Sequence, residues 1–159
     1  MSNRSLYISF SATKSFDECD YYFKNLIRRA IAATLDKEEF DLPAEVSVTL
    51  CDNEYIRGLN RKYRNKDSAT DVLSFPLYDF SEEAEPLLEG EPVVLGDIVI
   101  SLERAREQAR ELGNTFLHEV AFLTVHSMLH LLGYDHERSP EDEEAQCARQ
   151  REIIKTIEI

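Results

Sequence analysis

Apolar residues recur along this chain with two alternating periods, and the switches between them mark out its elements. Leu6–Phe10, with β-favouring Tyr7 and Ile8, reads as a short strand. Ser15 followed by Glu18 has the form of a capping box, opening a helix in which Tyr22, Phe23, Leu26, Ile27, Ala30 and Ile31 recur at helical spacing. Pro43 marks the loop after it, and Val46, Val48 and Leu50 then alternate with Ser47 and Thr49 as in a strand with one buried face. Asp52 can cap a helix that carries Ile56, Leu59 and Tyr63 on one side.

Val72–Tyr78 reads as a strand whose Pro76 suggests an edge or a bulge. Residues 79–92 are acidic, hold Pro86, Gly90 and Pro92, and predict a flexible surface loop. Val93–Ile100 is apolar and β-branched apart from Gly96 and Asp97, which mark a local irregularity. Ser101 caps a helix to about Leu112, and Gly113 stops it. Asn114 starts the next helix, which has almost no polar face after Glu119 and so should be buried; Gly133 ends it. Ser139-Pro140 opens a last helix to about residue 157. The order β, α, β, α, β, β, α, α, α predicts a single α+β domain over 1–159, one mixed sheet of about four strands packed against about five helices.

Composition narrows the function. Hydrophobic residues make up 43% and charged residues 31% of 159 residues, enough for one sizeable core without disulfides. No apolar run approaches the roughly 18 residues of a membrane span, and the N-terminus lacks the apolar core of a signal peptide. Cys19, Cys51 and Cys147 are odd in number and widely spaced, which reads as reduced thiols filling apolar space in a cytoplasmic protein. A net charge of −13 excludes a uniformly cationic nucleic-acid coat but leaves room for a local basic patch.

All four histidines fall between residues 118 and 136, three of them in HSMLHLLGYDH. His126 and His130 are four apart and project from one face of a helix. Gly133 then breaks that helix and lets the chain return His136 to the same point. Three imidazoles around one cation form the ligand set of a catalytic zinc site, with a fourth position left for water. Two unpaired imidazoles on an otherwise apolar helix would be costly, which favours a metal over a structural role. His118 lies eight residues before His126, well round the helix, and reads as structural or surface. The spacing also matches the long zinc-peptidase signature. That signature needs Glu directly after the first His as general base, and here the residue is Ser127, which argues against peptide hydrolysis.

Residues 57–66, RGLNRKYRNK, hold Arg57, Arg61, Lys62, Arg64 and Lys66 with no acid, the main concentration of positive charge in the chain. Arg57 and Lys62 individually read as a solvated helix face. LNRKYRNKDSATDVLSFP, LGDIVIS and HSMLHLLGYDH, in that order, resemble the signature blocks of the bacterial YbeY family. The resemblance implies a metal-dependent endoribonuclease, single-strand-selective, acting in 16S rRNA 3′-end maturation and ribosome quality control, with ribosomal subunit or assembly factors as partners and neither DNA nor membrane. It implies one Zn2+ ion on a zincin-like helix, held by His126, His130 and His136, and a functional arginine at Arg64; the basic segment itself adds Arg61 and Lys66 as expected RNA contacts. Ser127 and Ala69 depart from the Gly and Pro often found in the family, and neither removes a ligand. Asp135 either orients a ligand or caps the turn. With no convincing general base, attack by activated water and by the RNA 2′-hydroxyl both stay open. The rival reading is a non-catalytic zinc-containing assembly factor, and a fourth protein ligand such as Asp71 or Asp97 would favour it.

Overall fold

The structure is a computed structural model describing residues 4–78, 80, 90–134 and 139–159. Four strands, β1 (Leu6–Ala12), β2 (Ala44–Cys51), β3 (Val72–Pro76) and β4 (Val93–Ser101), form one mixed sheet in the order β1-β2-β4-β3. β1 runs parallel to β2 and β2 to β4, while β3 pairs antiparallel with β4. Five helices accompany them: α1 (Tyr21–Lys37), α2 (Asn53–Arg64), α3 (Leu102–Leu112), α4 (Phe116–Leu131) and α5 (Pro140–Ile154). The α+β expectation and the element order therefore hold. The expected surface loop lies largely outside the described residues, as does the turn carrying Asp135 and His136. No described helix is long and apolar enough to cross a membrane.

Strand alternation divides the core. Val46, Val48 and Leu50 point one way and join Ile98 and Ile100 against Ile27 and Ile31 of α1 and Met128 and Leu131 of α4. The opposite face is smaller: Cys51, Leu73 and Val99 meet Ile56 of α2. A third cluster joins the helices, with Leu26 and Ala30 of α1, Val125 and Leu129 of α4, and Ile153 of α5. Each buried Val, Leu, Ile or Met side chain contributes roughly 1.5–3 kcal/mol, so α1 and α4, which each enter two of these clusters, are the main packing helices. Burial also pushes the Cys51 thiol up to about 12 and raises that of Cys19, the chemistry of fillers and not of nucleophiles.

Two helix starts differ from expectation. The helix foreseen at Ser15 begins at Tyr21, because the Asp20 carboxylate accepts the Phe23 amide at 2.9 Å. Glu18 is drawn away, pairing with Arg106 of α3 at 2.6 Å instead of reaching back to Ser15. Thr115, not Asn114, caps α4 through the His118 amide at 3.1 Å. Asn114 instead closes the preceding helix, its amide donating to the Ala109 carbonyl at 2.8 Å. The last helix stops at Ile154, and Ile157 seals the helix cluster from the turn beyond.

Pro76 does sit on an edge strand, and the irregularity at Gly96 is real. Glu45 pairs with Val94 but Val46 with Gly96, so Leu95 is the extra residue of a bulge. Gly96 has φ +146°, and a Cβ there would collide with the Phe75 carbonyl oxygen of β3 and lie 2.9 Å from Leu131 Cδ2 at the end of α4. The bare backbone thus lets α4 and the edge strand close on one another. Gly96→Ala should cost about 2 kcal/mol or more, combining backbone strain with overpacking. Urea unfolding checks this, and an unchanged midpoint would show that the contact relaxes freely.

Candidate active site

The alternation that divides the core also builds a cleft. Val72 and Ser74 of β3 face α4, whereas Leu73 and Phe75 face α2. The open edge of β3 therefore lies between the C-terminal ends of two helices on opposite sides of the sheet. There a cleft of about 500 Å³ opens, lined by Arg64, Lys66, the 68–71 segment, β3 and the two histidines His126 and His130.

The basic wall is set by how α2 ends. Asn65 closes the helix at φ 57°, a left-handed conformation that asparagine tolerates better than most residues. Asn60, nearly fully buried, donates through Nδ2 to the Ser68 carbonyl at 2.9 Å and ties the following segment back onto the helix. Tyr63 meets Phe75 edge-on at a centroid distance of 5.5 Å, anchoring the last turn to β3. Arg64 and Lys66 are exposed on the cleft wall. Arg61 is exposed on the same helix but does not line the cleft. Arg57 is engaged by Asp67 through two hydrogen bonds of 2.8 and 3.2 Å. That bonding, followed by the charges of Arg57 and Arg61, holds the Asp67 carboxyl below the usual carboxylate range.

On the other wall, one helical turn brings the His126 and His130 rings to a centroid separation of 4.7 Å, with their Nε2 atoms 3.2 Å apart. Two nitrogens each 2.0–2.1 Å from one tetrahedral ion lie about 3.3–3.4 Å apart. The pair is thus spaced to hold Zn2+ through Nε2, and the donor set suits that ion. Among the described residues no third His, Cys, Asp or Glu joins them. The two carboxylates considered as further ligands are engaged elsewhere. Asp71 accepts the Val72 amide at 2.7 Å and Gln108 Nε2 at 3.1 Å, and Asp97 accepts the Ser47 hydroxyl. Ser127 is fully buried and shares a 2.5 Å hydrogen bond with Ser74 of β3, so it is turned into the sheet. His118 is half-buried near the start of α4, outside the cleft.

Two polar features of this region escaped the sequence reading. The Gln108 amide bridges Asp71, in the cleft wall, to the buried Glu119 of α4 at 3.1 and 3.0 Å. Gln146 of α5 is 1% exposed and approaches His126 Nδ1 at 3.3 Å. The available signal was spacing: Gln146, Gln150 and Ile153 recur at four and three residues and form the buried stripe of α5.

Known proteins give the family of the chain. The family profile described as Endoribonuclease YbeY matches residues 9–158. A curated Endoribonuclease YbeY of Caldanaerobacter subterraneus subsp. tengcongensis is 56% identical over 131 residues, covering 80% of this chain and 81% of the relative. Proteins of the same name from Carboxydothermus hydrogenoformans and Bacillus cereus are 49% and 44% identical, covering 85% and 89% of this chain and 85% and 90% of their own. In three dimensions the chain is similar to the solution structure of TM1509 from Thermotoga maritima, with a TM-score of 0.63 and 27% identity over 94% of this chain and 88% of that one. With the family profile matched over residues 9–158 and relatives matched over most of their length, the chain belongs to the YbeY family of endoribonucleases.

Proposed function

We propose that this protein is a zinc-dependent endoribonuclease that cuts single-stranded RNA, acting in 16S rRNA 3′-end maturation and ribosome quality control. The observation that carries the reading is the cleft itself, where Arg64 and Lys66 face an imidazole pair whose Nε2 atoms are 3.2 Å apart. His126 and His130 would hold the ion, together with His136, which lies outside the described residues. Bound there, Zn2+ supplies a Lewis acid for a phosphoryl oxygen.

The chain's own residues do the rest. Arg64 presents a planar fork that matches two phosphodiester oxygens and offsets the charge that grows on them in the transition state. Lys66 adds a point charge on the same wall. Arg61, on the outer side of α2, extends the positive field toward the flanking strand. Ser127, buried and bonded to Ser74, gives no proton acceptor for peptide hydrolysis. We assign the protein to the cytoplasm, where its three free thiols stay reduced, with ribosomal particles or assembly factors as partners and no DNA substrate.

Single-strand preference follows from electrostatics. At a net charge of −13 the surface repels a polyanion at long range, and only a small cationic wall attracts it. Few phosphates are covered, so affinity should fall with salt at about 0.7 per contacted phosphate, giving a shallow slope. Cleavage and binding compared on matched single-stranded and duplex RNA across a salt series test this. Equal or faster cutting of the duplex, or a steep slope, would show that the RNA surface lies elsewhere.

Two substitutions separate the walls. His130→Ala should abolish stoichiometric zinc in elemental analysis, and full retention would remove the histidine pair from the metal site. Arg64→Ala should leave the melting temperature within a few degrees, since exposed changes usually cost under about 0.5 kcal/mol. Cleavage should drop about a hundredfold or more, as when one transition-state donor is lost. Zinc uptake by the wild-type chain with no cleavage of any RNA would instead favour a non-catalytic assembly factor.

A further inference from the structure

We propose that Gln146, on α5, is the positioning residue of the zinc site: its side-chain carbonyl accepts the Nδ1 proton of His126 and so aims the Nε2 lone pair into the cleft. This rests on the zinc reading above and adds a residue to it. Gln146 is 1% exposed, and one end of its amide lies 3.3 Å from His126 Nδ1. When Nε2 carries the contact, Oε1 is a buried acceptor with no hydrogen-bond partner among the described residues. The far end of the amide lacks a partner among the described residues in either orientation, so it does not choose between them.

Rotating the amide by half a turn exchanges its oxygen and nitrogen without moving the backbone, and the two ends are nearly indistinguishable in shape. The ring chemistry selects between the two orientations. A neutral imidazole that binds a cation through Nε2 carries its proton on Nδ1, and an acceptor there fixes the tautomer and the ring plane. Only the orientation with Oε1 toward Nδ1 provides that acceptor. The same orientation agrees with the contact between the two histidines. His126 then offers an Nε2 lone pair, and without zinc His130 Nε2–H can donate to it across 3.2 Å.

The placement is not incidental to α5. The first turn of that helix carries Glu141, Asp142 and Glu143, yet its buried stripe consists of Gln146, Gln150 and Ile153. An amide is the neutral choice for such a place: it accepts a proton contact without adding a buried charge. α5 also closes the helix cluster through Ile153, so the packing of one helix onto α4 sets the orientation of a ring in the cleft.

The test combines zinc affinity with the histidine tautomer. Competition of the full chain against a chromophoric zinc chelator should give a dissociation constant about 10–100-fold weaker for Gln146→Leu than for the wild type, the usual loss when the partner of a metal-binding histidine is removed. Gln146→Glu keeps an acceptor at the same reach and should bind zinc as tightly as the wild type or more tightly, which a merely space-filling role would not predict. Nitrogen-15 spectra of the wild-type chain before zinc is added should show His126 as the Nδ1–H tautomer. That readout decides the matter even where Gln146→Leu does not fold. Equal affinity in a folded Gln146→Leu, or an Nε2–H tautomer at His126 in the wild type, overturns the role of Gln146. A wild-type chain that takes up no zinc overturns the metal reading itself.

Discussion

Polar groups on a helix buried almost all round are costly unless they find partners, and much of this structure is arranged around that demand on α4. Its apolar residues enter two core clusters. Three of its polar side chains find partners from different directions: Glu119 meets Gln108 of α3, Ser127 meets Ser74 of β3, and His126 meets Gln146 of α5, whereas the buried Nδ1 of His118, near the helix start, has no partner among the described residues. Thr124 is satisfied within the helix, its hydroxyl donating to the Val120 carbonyl at 2.8 Å. These bonds fix the rotation of α4 about its axis, and that rotation decides that two imidazoles face the cleft.

The sheet supplies the second wall through an asymmetry of its two faces. One face is covered by α1 and α4, while the other has the smaller cluster under α2. Because β3 is an edge strand, the ends of α2 and α4 meet at its open side with no further strand between them. A positive wall and an imidazole pair thus face each other although Arg64 and His126 are 62 positions apart in the sequence. The bulge at Leu95 and the missing side chain of Gly96 set how closely the end of α4 approaches that edge.

Charge is managed locally. The cations of the 57–66 segment are not equivalent once folded: Arg57 is tied to Asp67, Lys62 lies over the Tyr63 ring at 5.1 Å, and Arg64 and Lys66 line the cleft. In a strongly acidic chain, attraction for phosphate then comes from position more than from number.

Much of this was legible beforehand. Period-two and helical patterns located the nine elements among the described residues, the lack of a polar face foretold the burial of α4, and Pro76 and Gly96 marked an edge and a local irregularity. The i, i+4 spacing of His126 and His130 put both rings on one face, since that depends only on helix geometry. What stayed hidden depends on contacts between distant segments. Glu18 left its expected capping role because Arg106 lay within reach, and Asn114 closed one helix instead of opening the next. Gln108 and Gln146 look like ordinary surface glutamines until α3 and α5 are laid against α4. By itself the sequence determined the elements, their order and the spacing of the imidazoles, because these follow from local periodicity. Tertiary structure alone decided which cations face them and which amide meets His126, because those choices depend on how whole helices pack.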